Sequence, residues 1–241
     1  MMIRIGTSGW KYPEWRGGFY PKGLVQRREL EFLAGHVNTV EINGTFYSLR
    51  TPENYRSWAA QVPADFVFAV KGTREVTHVR RLREVEEPLK KFFDSGVREL
   101  GERLGPVLWQ LPDRTVFDPG VVAEFLALLD PAVRHAFEVR HESFRDEKFY
   151  ELAREHNVAV VYSEGKWPLF DVTTADFHYI RLHGAEELYI SGYGDEALRG
   201  WAARVEQLAA EGDVFVYFDN TMHGRAPGDA MALAELVRER G

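Results

Sequence analysis

The sequence predicts an α/β protein, a single (β/α)8 TIM-like barrel with a reduced sixth helix, spanning residues 1–241. Three observations lead there. Short runs rich in β-branched and aromatic residues recur along the chain, and amphipathic helix-like segments separate them. No linker-like or low-complexity stretch divides the series. A length of 241 residues suits one barrel and suffices to bury a large core.

The predicted strands are Ile3–Thr7, Thr39–Ile42, Phe66–Lys71, Val107–Gln110, His135–Glu138, Val158–Tyr162, His178–Leu182 and Val214–Phe218. Most are near-continuous apolar stretches, as parallel strands covered on both faces require. Helix starts are marked at Thr51-Pro52, Asp118-Pro119 and Asp195, where a capping oxygen or a first-turn proline suits the free backbone N–H groups. Pro88 marks a third helix and leaves 72–87 as a long loop. Between Tyr162 and His178 there is room only for a rudimentary helix, which Trp167-Pro168 interrupts. A doubly wound open sheet is the alternative topology.

Composition excludes several chemistries. The chain has no cysteine, which rules out disulfides, thiolate metal sites and cysteine nucleophiles. A net charge of −7 argues against a surface devoted to duplex DNA, though not against a local basic patch. Met1 runs straight into a strand, and no apolar run approaches a membrane span, so a cytoplasmic protein without membrane contact is expected.

Side-chain parity carries the functional reading. Residues two apart on a strand share a face, so Thr39, Glu41 and Asn43 point together, as do Val67, Ala69 and Lys71. Leu108 pairs with Gln110, Ala136 with Glu138 and Arg140, and Tyr179 with Arg181 and His183. On the last strand Phe215, Tyr217 and Asp219 share a face, and Asn220 takes the other. Five strands thus run from small or apolar residues to a polar one at the C-terminal end, where barrels build their sites. Ionised groups placed there need partners, either one another or a ligand. A salt-bridge network plugging the mouth is the structural alternative.

Several motifs then become recognisable as a set. GTSGWKYPEWRGGFYPKGL at 6–24, TVEINGTFY at 39–47, FVFAVKGTREVTH at 66–78 and LWQLP at 108–112 continue as FEVRHESF at 137–144, YIRLHG at 179–184 and VYFDNTMHGRAPGDA at 216–230. On these stretches, which span nearly the whole chain in order, the sequence resembles the YecE-like family, domain of unknown function 72. The resemblance implies a (β/α)8-like barrel and supplies no activity. Two positions depart from the family pattern, Phe144 where tryptophan is common and Asp219 where asparagine is common. The second weakens any requirement for a carboxylate at 219.

The expected function is binding of, and acid/base action on, a small phosphate- or carboxylate-bearing substrate at the C-terminal mouth. Glu41, Glu138 and His183 are the candidate catalytic residues. Trp10, Lys71, Arg140, Arg181, Gly184, Asp219 and Asn220 are the candidate ligand-binding residues. Arg181 is expected to fork onto the anion, because it sits in an otherwise apolar strand. The loops after the last two strands add Gly184, Gly192, Gly194 and Gly224 and the N–H groups of the final helix. No cofactor and no metal is expected, since Lys71, Arg140 and Arg181 already neutralise the carboxylates. An anionic small molecule is the expected partner, and nucleic acid is the alternative one.

Two other function classes stand beside this one: a metal-assisted phosphodiesterase or nuclease-like enzyme, and a non-catalytic barrel binding a ligand or RNA. Trp10, Tyr12, Trp15, Phe19 and Tyr20 suit a stacked base or sugar ring. A lid packed onto the helices suits most of them better, Trp10 excepted. The basic stretch 74–83 suits a phosphate backbone, but a solvated loop balanced by Glu84, Glu86 and Glu87 is the favoured reading.

Overall fold

In the computed structural model, which describes residues 1–240, parallel strands alternate with helices from Ile3 onward. Gly241, the last residue of the expected barrel, lies outside the described residues. The strands are β1 (Ile3–Ser8), β2 (Thr39–Ile42), β3 (Val67–Lys71), β4 (Leu104–Gln110), β5 (His135–Glu138), β6 (Val158–Val160), β7 (Tyr162–Glu164), β8 (Phe177–Leu182) and β9 (Asp213–Phe218). They form one sheet in the order β6-β5-β4-β3-β2-β1-β9-β8-β7.

β6 pairs with β5, and β7 pairs with β8. Only Val161 separates β6 from β7, and its N–H donates to the Phe137 carbonyl at 3.1 Å. One continuous run is therefore handed from one neighbour to the other, and the sheet comes round on itself. Chain neighbours are sheet neighbours throughout, so there is no switch point and the doubly wound alternative falls.

The helices are α1 (Glu29–Ala34), α2 (Gly44–Tyr47), α3 (Pro52–Ala59), α4 (Glu86–Asp94), α5 (Pro119–Ala127), α6 (Glu147–Glu155), α7 (Asp195–Ala209) and α8 (Arg225–Arg240). Two starts follow the sequence signals, whereas α7 has Gly194 at its cap position and Asp195, without a capping hydrogen bond, as its first residue. The Asn54 side chain accepts the Thr51 N–H at 3.2 Å before Pro52. Asp118 accepts from the N–H groups of Gly120 and Val121. Each contact satisfies a donor that the first helical turn leaves free.

Three expectations need correction. α4 begins two residues before Pro88, with the proline at its third position, where a missing N–H costs nothing. The stretch before it is not a plain loop: Glu75–Val79 forms a π-helical turn, closed by the Arg80 N–H on the Glu75 carbonyl at 2.9 Å. The reduced sixth helix is reduced to nothing, because 165–176 crosses from β7 to β8 without any helical turn.

The barrel interior is divided by size. Ala69, Ala136 and Ala159 line it from β3, β5 and β6, while Phe177, Tyr179, Phe215 and Tyr217 fill it from β8 and β9. The Tyr179 and Tyr217 rings stand 5.0 Å apart between centroids. Aromatic volume on one wall thus meets alanine on the other, so large and small side chains complement each other across the interior. β1 approaches β2 so closely that a Cβ on Gly6 would lie 1.9 Å from the Thr39 carbonyl oxygen.

Candidate functional site

The inward residues that follow this packed layer are the polar ones at the strand ends. Ser8 lies beside Glu41, Gln110 beside Glu138, and Ser163 beside Arg181 in the sheet register. The parity read from the sequence therefore holds for Glu41, Glu138 and Arg181, and it brings them into contact.

Arg181 is the hub, with 1 % of its surface exposed. Its Nε and Nη2 donate to the two Glu41 oxygens at 3.1 and 2.9 Å. Nη1 donates to Glu138 at 3.0 Å and faces Nε2 of His183 at 3.2 Å. Nη2 also reaches Asp219 at 3.1 Å and Ser8 at 3.4 Å. A guanidinium has five N–H donors, and these contacts leave none pointing at an open space.

The carboxylates are equally tied. Glu41 accepts from the Tyr179 hydroxyl at 2.6 Å and from Ser8 Oγ at 2.9 Å. Glu138 accepts from Arg140 Nε at 2.6 Å and from Ser163 Oγ at 3.3 Å. Burial pushes the Glu41 carboxyl up, but Arg181 and Lys71 outweigh it and hold it below the usual range. Burial acts on Glu138 in the same way and is overridden by Arg140, Arg181 and Lys71. Both stay ionised at neutral pH, so they are poor proton donors and weak bases. This geometry suits orientation better than the acid and base roles expected of them.

His183 is fully buried, and its Nδ1 lies 2.7 Å from the Glu164 carbonyl oxygen. A carbonyl can only accept, so Nδ1 carries the hydrogen and Nε2 presents its lone pair to Arg181. Burial and then Arg181 push its pKa down, keeping the ring neutral. Asp219 lies 3.4 Å from Nε2.

Lys71 differs from every other charge here. Its ammonium has no hydrogen bond and no carboxylate within 4.0 Å among the described residues, and it rests 4.6 Å from the centroid of the Phe46 ring. Burial and the positive Arg181 lower its pKa to about 8, against the pull of Glu41, Glu138 and Asp219. The neighbouring Arg140 guanidinium lies 3.5 Å over the Trp167 ring while it binds Glu138.

Three expected residues serve elsewhere. Gly184 sits at φ +115°, buried, with its N–H on the Tyr193 hydroxyl at 3.0 Å, and a Cβ there would meet the Glu187 carbonyl at 2.6 Å. The backbone has no room for a substrate at that point. Asn220 donates to Ser191 O at 2.9 Å and to Asp229 at 2.7 Å, which fastens the loop before α7 to α8. Trp10 is 6 % exposed and stands edge-on to Trp58, 5.4 Å between centroids, in the wall of a side cleft.

The remaining first-loop aromatics pack down as a lid. Trp15 donates to the Thr221 carbonyl at 3.0 Å, and the Tyr20 hydroxyl donates to the Trp10 carbonyl at 2.7 Å. In the basic stretch, Arg80 pairs with Glu75 and Arg83 with Asp118.

Sequence reasoning passed over Ser8, Tyr179, Ser163, Trp167 and His78 as parts of the mouth. Tyr179 shares parity with Arg181, and that signal was available; Ser8 lies one residue beyond the predicted end of its strand. Trp167 and His78 come from loops, where parity says nothing. His78 stacks edge-on against Phe46, and burial, Lys71 and Arg74 lower its pKa to about 4.

Comparison with known proteins agrees with this architecture. The model of the family described as protein of unknown function DUF72 matches residues 4–241. The curated protein UPF0759 YunF of Bacillus subtilis is 25% identical over 98% of this chain and 95% of its own length. UPF0759 YecE of Escherichia coli is 33% identical over 59% of this chain and 50% of its own length. A DUF72 family structure from Thermotoga maritima superposes with a TM-score of 0.85 at 28% identity, covering 99% of this chain and 100% of that one. D-psicose 3-epimerase from Clostridium cellulolyticum, with a TM-score of 0.56 at 11% identity over 99% of both chains, shares the barrel fold. No helix among the described residues is long and apolar enough to cross a membrane.

Proposed function

The chain belongs to the DUF72 family, a membership that brings a barrel but no reaction, and on that premise we propose that its mouth binds a small phosphate- or carboxylate-bearing molecule. Lys71 is the residue that meets the anion and exchanges a proton with it. The single observation behind this reading is that, among the described residues, the Lys71 ammonium has no hydrogen bond and no carboxylate partner and rests only on the Phe46 ring, while Arg140 and Arg181 are both paired.

Arg181 does not fork onto the ligand in this reading. It holds Glu41 and Glu138 in place, and their charges keep Lys71 from losing its proton altogether. Arg140, fixed between Glu138 and the Trp167 ring, acts with Lys71 on His78 and adds a second positive group. A lysine with a pKa near 8 is poised to give and take a proton near neutral pH, which a normal lysine is not.

The metal-assisted alternative meets a physical obstacle. The point shared by Glu41, Glu138, Asp219 and His183 is occupied by the Arg181 guanidinium, whose charge repels a second cation. The test is calorimetric titration of the wild-type protein and of Lys71→Met and Lys71→Arg with inorganic phosphate, pyrophosphate and small dicarboxylates. Binding that is lost in Lys71→Met and retained in Lys71→Arg supports the reading. Equal affinity in all three proteins overturns it. Turnover of any bound compound, followed by NMR, separates an enzyme from a binding barrel.

A further inference from the structure

Beside the barrel mouth, the loop after β1 and the segment running from β2 into α3 form a cleft of about 420 Å³. That volume lies in the range of sites for small organic ligands, roughly 300–1,000 Å³. The cleft lining includes Trp10, Lys11, Asn43, Arg50, Asn54 and Trp58.

The lining is unusual in its charge. It holds two cations and no carboxylate, in a protein with net charge −7. Neither cation is neutralised from outside, since Lys11 and Arg50 form no ion pair among the described residues, unlike most arginines of this chain. Arg50 is instead oriented by one hydrogen bond from Nη2 to the Gly44 carbonyl at 3.0 Å. A Cβ on Gly44 would lie 2.5 Å from that nitrogen, so the glycine makes room for the guanidinium. The fork therefore reaches the cleft fixed at one end, with its other donors uncommitted.

The polar groups without partners are of the complementary kind. The Asn43 carboxamide oxygen is shielded from solvent yet accepts no hydrogen bond. A buried acceptor left so costs about 1–3 kcal/mol, which a turn of the carboxamide toward a ligand donor in the cleft would recover. Asn54 gives its oxygen to the Thr51 N–H, which leaves its NH2 group as a donor. Trp58 is partly exposed and braced by edge-on contacts with Trp10 and Tyr55, so its ring is held rigid beside these amides.

An aromatic wall, an amide acceptor, an amide donor and two free cations form a recognisable combination. The first suits a flat ring, the amides suit the edge of a heterocycle with its own donors and acceptors, and the cations suit one anionic group. We propose that this cleft is a binding site for a nucleoside monophosphate. A bare sugar phosphate leaves the aromatic wall unused, and a nucleoside leaves Arg50 and Lys11 unused. Lys71 is not among the residues that line this cleft, so the proposal does not depend on the reading given to Lys71.

The test is tryptophan fluorescence with calorimetric titration, using AMP, adenosine, ribose 5-phosphate and inorganic phosphate as probes. AMP is expected to bind saturably, with the three partial probes weaker by about tenfold or more, a loss of one strong interaction. Arg50→Gln and the exposed Lys11→Gln should each weaken AMP by about three- to tenfold with an unchanged melting temperature. Trp58→Phe keeps an aromatic wall and should be tolerated better than Trp58→Ala, and the two lysine and arginine variants remain decisive if the alanine variant does not fold. AMP binding that survives in Lys71→Met assigns the phosphate to the cleft, and loss there would assign it to the mouth and overturn the proposal. Equal affinity for AMP and ribose 5-phosphate, or no response to Arg50→Gln and Lys11→Gln, would also overturn it.

Discussion

The barrel axis and the side cleft both collect cations and polar groups, yet they treat them in opposite ways. On the axis, Arg181 has a protein acceptor for each of its donors, and Glu41 and Glu138 are each held by several groups. In the cleft, Arg50 has one backbone contact and the Asn43 oxygen has none. Buried charges must be paired to be tolerated, so a saturated network is what a stable structure requires of itself. Groups left unpaired at a concave surface are what remains for a ligand. Lys71 combines both situations, a cation within the network's field and outside its hydrogen bonds.

The largest effect should come from the axis. Arg181→Met strips Glu41 and Glu138 of their shared partner and should cost about 3–5 kcal/mol of stability, the scale for breaking a buried pair. Urea unfolding monitored by circular dichroism measures it. Arg181→Lys keeps the charge and loses the fork, and should also lower stability while leaving phosphate affinity unchanged. Weakened phosphate binding without loss of stability would reverse the roles given to Arg181 and Lys71.

Acid should act on the same network. The folded pKa values of Glu41 and Glu138 lie below their unfolded ones, so the unfolded chain takes up protons first as pH falls. Their stabilisation is fully present above the ordinary carboxylate range and is lost progressively below it. Lys71 has the opposite sense. Its folded pKa of about 8 lies under the unfolded value of 10.5, so it penalises the fold below about 8 and releases that penalty as pH rises toward 10.5. Lys71→Met should therefore raise the melting temperature at pH 7, a gain in stability at the expense of binding. A fall would show that the ammonium is a structural partner after all.

Much of this contrast was legible before any coordinates. Period-two alternation placed Glu41, Lys71, Glu138 and Arg181 on one face, because strand parity is fixed by backbone geometry. What it could not give was partner choice. Whether Arg181 faces a ligand or Glu41 depends on the distance between β2 and β8, which are far apart in sequence and not adjacent in the sheet. Gly184 was misread for a related reason, since a glycine after a strand signals either an open approach or a tight turn, and only the Glu187 carbonyl behind it decides. The caps at Thr51-Pro52 and Asp118-Pro119 were local and were read correctly, whereas Asp195 lies inside the first turn of α7 behind Gly194 and caps nothing. The π-helical turn at Glu75–Val79 was not read, because no apolar period marks it.

Smaller effects refine the boundary of the network. Metal analysis of protein purified without chelator should find well under one equivalent, given the guanidinium at the centre of the carboxylates. A tightly held equivalent that is lost in Glu138→Gln would place a cation where Arg181 is drawn. The smallest change should come from Asp219→Asn, whose side chain is 16% exposed and keeps an acceptor oxygen for Arg181. A cost of about 1 kcal/mol or less is expected by thermal unfolding. A much larger cost would make the third carboxylate essential to balancing the charge.

The state of Lys71 is the point on which the account turns, and NMR of the protein with carbon-13 labelled lysine side chains observes it directly. One lysine resonance, absent in Lys71→Arg, should titrate near pH 8 in the free protein, and its midpoint should rise when phosphate is added. A Lys71 that titrates at its ordinary value near 10.5, with no response to phosphate, would contradict the account.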